Sequence, residues 1–358
     1  MRKALSTVID PCSGLDLLTA AVVKNIEVAG GKASLLIELP IPVGPSAKKL
    51  EAEVVAVAKK VAGVDAASVT FSVVIPSRAS ATAGGSMPQV KNVVAISSGK
   101  GGVGKSTVTT NLAAALHAQG ARVGILDADI YGPSVPQMMG DPDVFASGNQ
   151  ASKITPAVHH GMKIISIGFF LERDRPVIWR GPMIHKLLQQ FIEDVDWGEL
   201  DYLFIDLPPG TGDAQLSLSQ LVPLTGTVLV TTPQEVAVLD VEKAFSMWKK
   251  VEVPVLGVIE NMSTFECPTC HHVEEIFSKG GGRDLAEREG VTFFGAVPIQ
   301  SSVRMAGDGG KPIVLAHPES KAADIFHEMA SNLACTLAAR NRPSPGGGIR
   351  SGKLTLIR

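Results

Sequence analysis

Apolar and polar positions change their rhythm near residue 90 of this chain. Before that point the run KASLLIELPI, residues 32–41, reads as a strand, and Leu50, Val54, Val57, Ala58 and Val61 recur at helical spacing. ASVTFSVVI, residues 67–75, then reads as a closing strand. Together these predict a small α+β domain over residues 1–76. Residues 77–91, SRASATAGGSMPQVK, are rich in Ser, Ala and Gly without apolar periodicity, which predicts a flexible linker.

From residue 92 onward strands and helices alternate. NVVAIS is a short apolar strand, and Val108, Leu112, Ala115 and Leu116 line one face of a helix that Gly120 is placed to stop. ARVGILDAD and MKIISIGFF are further strands. Ile184, Leu187, Leu188, Phe191, Ile192 and Val195 then mark an amphipathic helix. DYLFIDLP, GTVLVTT, VPVLGVIEN and VTFFGAVP follow, separated by helical stretches. Strands apolar throughout, alternating with helices, predict an α/β domain over 92–342 with a mostly parallel sheet covered on both faces. Its last element is a helix around 320–342 with Ile325, Met329, Leu333 and Leu337 on a core-facing stripe. Residues 343–358 form a Gly/Pro-rich tail, PSPGGGIRSGKLTLIR, to which the pattern assigns no role.

The chemistry gathers at strand ends. GKGGVGKS, Gly99 to Ser106, fits the phosphate-loop pattern G-x-x-x-x-G-K-[ST] between a predicted strand and a predicted helix. Backbone N–H groups of Gly99, Lys100, Gly101, Gly102, Val103, Gly104 and the residues through Thr107 are expected to wrap phosphates at the positive end of the helix. Lys105 is expected to reach the β- and γ-phosphates and Ser106 to bind Mg2+. Asp206 ends the apolar strand YLFID, the form of the carboxylate that supports Mg2+ in such sites. Asp127 and Asp129 end the strand LDAD, and one of them is placed to orient an attacking water. The expected reaction is attack of water on the γ-phosphate of a bound nucleotide, driven by positioning and charge stabilisation.

FECPTCHH, Phe265 to His272, sets Cys267 and Cys270 three apart and follows them with His271 and His272. Cys-x-x-Cys suits half a zinc site, a dithiol or an iron–sulfur ligand pair, and the residues alone leave these open. A thioredoxin-like role has little support, because no suitable helix follows the pair. No nucleophile-elbow pattern suggests a serine hydrolase. Cys335 reads as a packed thiol on the apolar face of the last helix, and Cys12 shows no partner.

Composition narrows the classes further. The chain has 358 residues, 45% of them hydrophobic and 19% charged, with a formal charge of −2. That balance gives no general grip on nucleic acid or anionic lipid. No apolar run is long enough to span a bilayer, and Asp10 and Pro11 cut the initial apolar stretch too short for a signal peptide. Four cysteines do not make a disulfide framework, so a reducing compartment is expected. The cytoplasm is favoured, with an organelle stroma or matrix left open.

The lysine at position 100 gives the loop its particular form. GKGGVGKST resembles the deviant Walker A loop of the SIMIBI-class ATPases, which include MinD and ParA. DADIYGPSVPQMMG, WRGPM at 179–183, DLPPGTGD at 206–213 and ENMSTFECPTC at 260–270 resemble one branch, the Mrp/ApbC iron–sulfur cluster carrier ATPases. The likeness covers about residues 90–340. It implies a homodimer in which Lys100 crosses to the partner's nucleotide, Asp129 as the switch carboxylate of hydrolysis, and Asn261 as a contact to adenine. It places Gly210 and Asp213 in a second switch segment, and assigns no chemistry to Trp179, Arg180, Gly181 and Pro182.

The likeness further implies a bridging [4Fe–4S] cluster held by Cys267 and Cys270 of both subunits, since two thiolates cannot fill four positions. Apo iron–sulfur proteins and cluster assembly factors would be the partners, with no membrane or nucleic acid. His271 stands where the family commonly has Gly, which keeps a zinc site with one of the two histidines as an alternative. The matching function would be a MinD/ParA-like positioning switch with zinc or no metal at the cysteine pair. The N-terminal segment resembles the domain of iron–sulfur assembly proteins that often precedes these ATPases, with Asp10-Pro11 matching its opening. Its usual cysteine is missing, because the segment here reads LPIPVGPS, and the domain is expected to serve as a docking or accessory module.

Overall fold

The computed structural model describes residues 1–77, 87, 89–141, 146–148, 153–170, 181–210 and 212–341, and they group into two compact units. One consists of Met1–Pro76 with the chain from Ala330 onward, the other of Ser77–Met329. The expected linker residues 78–86, Trp179, Arg180, the Asp213 side chain and the tail 343–358 lie outside what is described.

The first unit holds a short helix α1 (Arg2–Leu5), strands β1 (Val23–Ala29) and β2 (Lys32–Leu39), helix α2 (Pro45–Ala58) and strand β3 (Ala66–Val73). β2 is central, antiparallel to β1 and parallel to β3. Ala33, Leu35, Ile37 and Leu39 are buried along β2 at period two, and α2 buries Ala47, Leu50, Val54 and Ala58 at helical spacing. Strand β1 was not anticipated. It is an edge strand with most residues in solvent, so it lacks the apolar alternation that betrays a strand.

Cys12 and Cys335 are joined by a disulfide, with both side chains buried. This corrects the expectation that Cys12 has no partner and that Cys335 is a packed thiol. The two are 323 residues apart in sequence, and only the tertiary fold brings them together.

The second unit is built on a nine-stranded sheet. Strand β4 (Val90–Ser98) begins within the segment expected to be linker and leads into helix α3 (Lys105–Ala118). Next come β5 (Val123–Asp127), helix α4 (Val135–Met139), the two-residue strands β6 (Ser147–Gly148) and β7 (Ile154–Thr155), then β8 (Ala157–His159) and β9 (Met162–Ser166). Helix α5 (Gly181–Glu193), β10 (Leu200–Asp206), α6 (Asp213–Leu221), β11 (Gly226–Thr231) and α7 (Glu235–Lys250) follow. The remainder is β12 (Val255–Glu266), β13 (Val273–Glu274), α8 (Gly281–Glu289), β14 (Thr292–Ile299), α9 (Ser301–Asp308), α10 (Ile313–Ala316) and α11 (Lys321–Asn341). Helix α11 was expected to belong wholly to the 92–342 segment, whereas its residues from Ala330 group with the first unit.

The strand order is β13-β12-β11-β4-β10-β5-β9-β8, with β14 on β12. Pairing is parallel except for β8 on β9 and β13 on β12. Every residue of β10 is buried. Leu203, Ile205, Leu126 and Ile165 of the sheet join Ile184, Leu188 and Phe191 of α5, and Val241, Ala244 and Trp248 of α7, in one core. Central parallel strands covered by helices leave their carboxyl ends as the open edge, where loops can carry chemistry.

Candidate functional site

Three adjacent strands, β4, β10 and β5, deliver the phosphate loop, Asp206 and Asp127 to that edge. Asp206 and Asp127 are paired neighbours in the sheet register. Gly99 follows β4 and passes so close to α7 that a Cβ there would lie 2.3 Å from the carbonyl carbon of Asp240 and 2.5 Å from the backbone nitrogen of Val241. Gly104 caps α3 with φ +79°, a left-handed conformation natural to glycine. The loop therefore opens its N–H groups at the start of a fourteen-residue helix, a geometry suited to phosphate.

Lys105 is 6% exposed, and its ammonium lies 2.8 Å from Asp206 Oδ2, 3.8 Å from Asp129 Oδ2 and 3.2 Å from Ser106 Oγ. The Ser106 hydroxyl donates to Asp206 Oδ2 at 2.5 Å and the Thr109 hydroxyl to Asp206 Oδ1 at 2.6 Å. A serine hydroxyl beside a fully buried carboxylate is a hard-oxygen pair of the type Mg2+ takes, so these residues fit the metal. Lys100 is half-buried and makes no ion pair with the described residues, while its carbonyl accepts from Ser98 Oγ.

Asp127 organises the neighbouring loop. Its Oδ1 accepts from the Asp129 N–H at 3.1 Å, and its Oδ2 from the Ser166 hydroxyl at 2.9 Å and the Val135 N–H at 3.4 Å. Burial, reinforced by the charge of Asp206 and opposed by the Ser166 hydrogen bond and Lys105, pushes the Asp127 carboxyl up to about 8. Burial also raises Asp129, with Lys105 opposing and Asp206 adding to the shift.

Strand β12 carries the other predicted residues. Asn261 is buried and its Nδ2 donates to the carbonyl of Val103 in the phosphate loop at 2.9 Å. The amide thus holds the phosphate loop from the strand beside it. Met262, with φ +56°, follows at an irregularity in the pairing of β12 with β14. Cys267 comes directly after the strand, six residues beyond Asn261.

The cysteine turn is clasped at both ends. The Cys267 N–H donates to the carbonyl of His272, and the His271 N–H to the carbonyl of Cys267, both at 2.9 Å. Cys270 is exposed and Cys267 half-buried, and both are free thiols. Backbone N–H groups of Cys270 and Thr269 hold the Cys267 thiol below its ordinary value, favouring the thiolate that binds metal. His271 Nδ1 lies 2.9 Å from Glu266 Oε1. Among the described residues no group of three or more His, Cys, Asp or Glu side chains is placed to hold a metal ion, so one chain offers the two thiols without the histidines.

His271 sits at φ +57°, a left-handed conformation that favours glycine. Three residues went unanticipated. Thr109 lies one helical turn after Lys105, a spacing that sequence alone offers as a clue. Ser166 is found only through its strand pairing with Asp127. Glu260 is buried and accepts from the N–H groups of Gly280 and Gly282 at the start of α8.

Comparisons with known proteins agree with this geometry. Residues 89–334 match the family model of the NUBPL iron-transfer P-loop NTPases (ParA), and residues 1–71 match that of an iron-sulfur cluster assembly protein. The iron-sulfur cluster carrier protein of Deinococcus radiodurans is 44% identical over 340 residues, covering 95% of each chain. That of Synechocystis sp. is 41% identical over 334 residues, covering 92% of this chain and 95% of the relative. Among solved structures, the nucleotide-binding protein from Archaeoglobus fulgidus in complex with ADP is 38% identical with a TM-score of 0.58, covering 67% of this chain and 93% of the other. A phosphate loop on a mostly parallel sheet, a pair of free cysteines and these matches together place the chain in the NUBPL iron-transfer P-loop NTPase family.

Proposed function

We propose that this chain is an ATP-hydrolysing iron–sulfur cluster carrier that binds a [4Fe–4S] cluster as cargo between two subunits and passes it to apoproteins. The observation that carries this reading is the clasped turn presenting Cys267 and Cys270 at the end of the strand whose Asn261 bonds the phosphate loop. Two thiols per chain meet the four positions of such a cluster when a two-fold axis passes near the turn. The names of the relatives from Deinococcus radiodurans and Synechocystis sp. support a carrier over a positioning switch.

In the nucleotide half, Lys105 and the N–H groups of residues 99–107 hold the phosphates of ATP, and Ser106 with Asp206 holds Mg2+. The metal supplies charge neutralisation at the phosphates when bound. Asp129 orients the attacking water, with Asp127 holding the backbone of Asp129 in place. Lys100 reaches the nucleotide of the second copy and makes turnover depend on dimerisation.

Anaerobic reconstitution with iron and sulfide tests the reading. About four irons per dimer are expected, with thiolate-to-iron absorbance that the Cys267→Ala/Cys270→Ala variant loses while it still hydrolyses ATP. Wild-type protein that retains zinc, or no metal, and still turns over ATP would overturn the carrier assignment.

A further inference from the structure

The four cysteines divide into two pairs with opposite environments. Cys267 and Cys270 are three residues apart, half-buried and exposed respectively, and unbonded. Cys12 and Cys335 are 323 residues apart, buried and bonded to each other within the first compact unit. The nucleotide site described above does not involve the second pair.

Both sulfurs are held in place by their own surroundings. Asp10, fully buried, accepts from the Cys12 N–H at 3.4 Å, the Ser13 N–H at 3.1 Å and the Ser13 hydroxyl at 2.5 Å. The loop 10–13 is therefore fixed around one carboxylate. Cys335 rides on α11 among the buried residues Leu333, Ala334, Leu337 and Ala338. The Cα atoms stand 4.5 Å apart, within the span of a disulfide. Once one of two cysteines placed this way carries a mixed disulfide, the other attacks it as an intramolecular thiolate, which favours closure over persistent mixed products.

We propose that Cys12 and Cys335, both buried in the folded chain, form a thiol–disulfide pair that exchanges with low-molecular-weight disulfides when the loop 10–13 opens and that, when oxidised, locks this loop of the N-terminal module to the terminal helix. The thiolate of one cysteine attacks the small disulfide, forming a mixed disulfide and releasing one small thiol, which carries away the proton. The second thiolate then displaces the other small thiol and the protein disulfide closes. Two cysteine thiols are oxidised and one small disulfide is reduced to two thiols. The site is separate from the cluster turn and does not depend on the cargo reading.

The full chain, equilibrated in glutathione buffers from reducing to oxidising and then alkylated, tests this by mass spectrometry of unreduced tryptic peptides. In oxidising buffer a linked species of peptides 4–24 and 322–340, two hydrogens lighter than their sum, is expected, and it should vanish in reducing buffer. The Cys267→Ala/Cys270→Ala variant should form the same link, and Cys12→Ser should not. The thermal midpoint should rise on oxidation in wild type and stay unchanged in Cys12→Ser. Complete alkylation of Cys12 and Cys335 after oxidation would overturn the proposal, as would links that scatter to Cys267 or Cys270. The wild-type peptide readout decides the matter even if a variant fails to fold.

Discussion

Asp127 and His271 each carry a local cost that the fold sustains. The Asp127 carboxyl is buried beside Asp206 and titrates near 8, against about 3.9 for a free aspartate. A native value raised above the unfolded one means that the folded chain binds the proton more tightly. The associated stability is fully present below about pH 4 and is lost as pH rises through about 8. Asp127→Asn removes this titration, so its unfolding midpoint is expected to fall less steeply than wild type between about pH 5 and 8 in a series of thermal melts. An equal slope in both proteins would contradict that assignment. At His271 the left-handed backbone costs a non-glycine residue about 1 kcal/mol. His271→Gly is expected to match or exceed wild-type stability, and to keep the same iron content after reconstitution. Loss of metal in that variant would make the histidine a ligand.

Among the elements, the phosphate loop depends on the closeness of its neighbours. Gly99→Ala drives a methyl into the backbone of α7 at Asp240 and Val241, which cannot yield as a side chain can. Nucleotide affinity is expected to fall at least tenfold, about 1.4 kcal/mol, read by titration with a fluorescent ATP analogue, with unchanged binding as the contrary result. The strands β4, β5, β9, β10, β11, β12 and β14 were legible as apolar runs, and the central ones need no alternation because they are buried on both faces. The short strands β8 and β13 and the exposed β1 were not, since their pairing depends on neighbours rather than on their own composition. The site divided in the same way. Lys105, Ser106, Asp129 and Asp206 were named by local motifs, and the structure brings them within hydrogen-bonding or ion-pair reach of one another. Ser166 and the Asn261–Val103 bond needed strand order, which no local pattern contains.

At the scale of the whole molecule, the chain joins a nucleotide-binding unit to a smaller one that matches a cluster-assembly family over residues 1–71. None of its described helices is long and apolar enough to cross a membrane. The buried disulfide gives this two-part molecule the topology of a lasso. With Cys12 and Cys335 bonded, one peptide-bond cut anywhere between residues 13 and 334 opens the loop without dividing the molecule. A nicked chain would keep its intact mass on a gel run without reductant and split into two pieces with it. Both compact units would travel together until the bond was reduced.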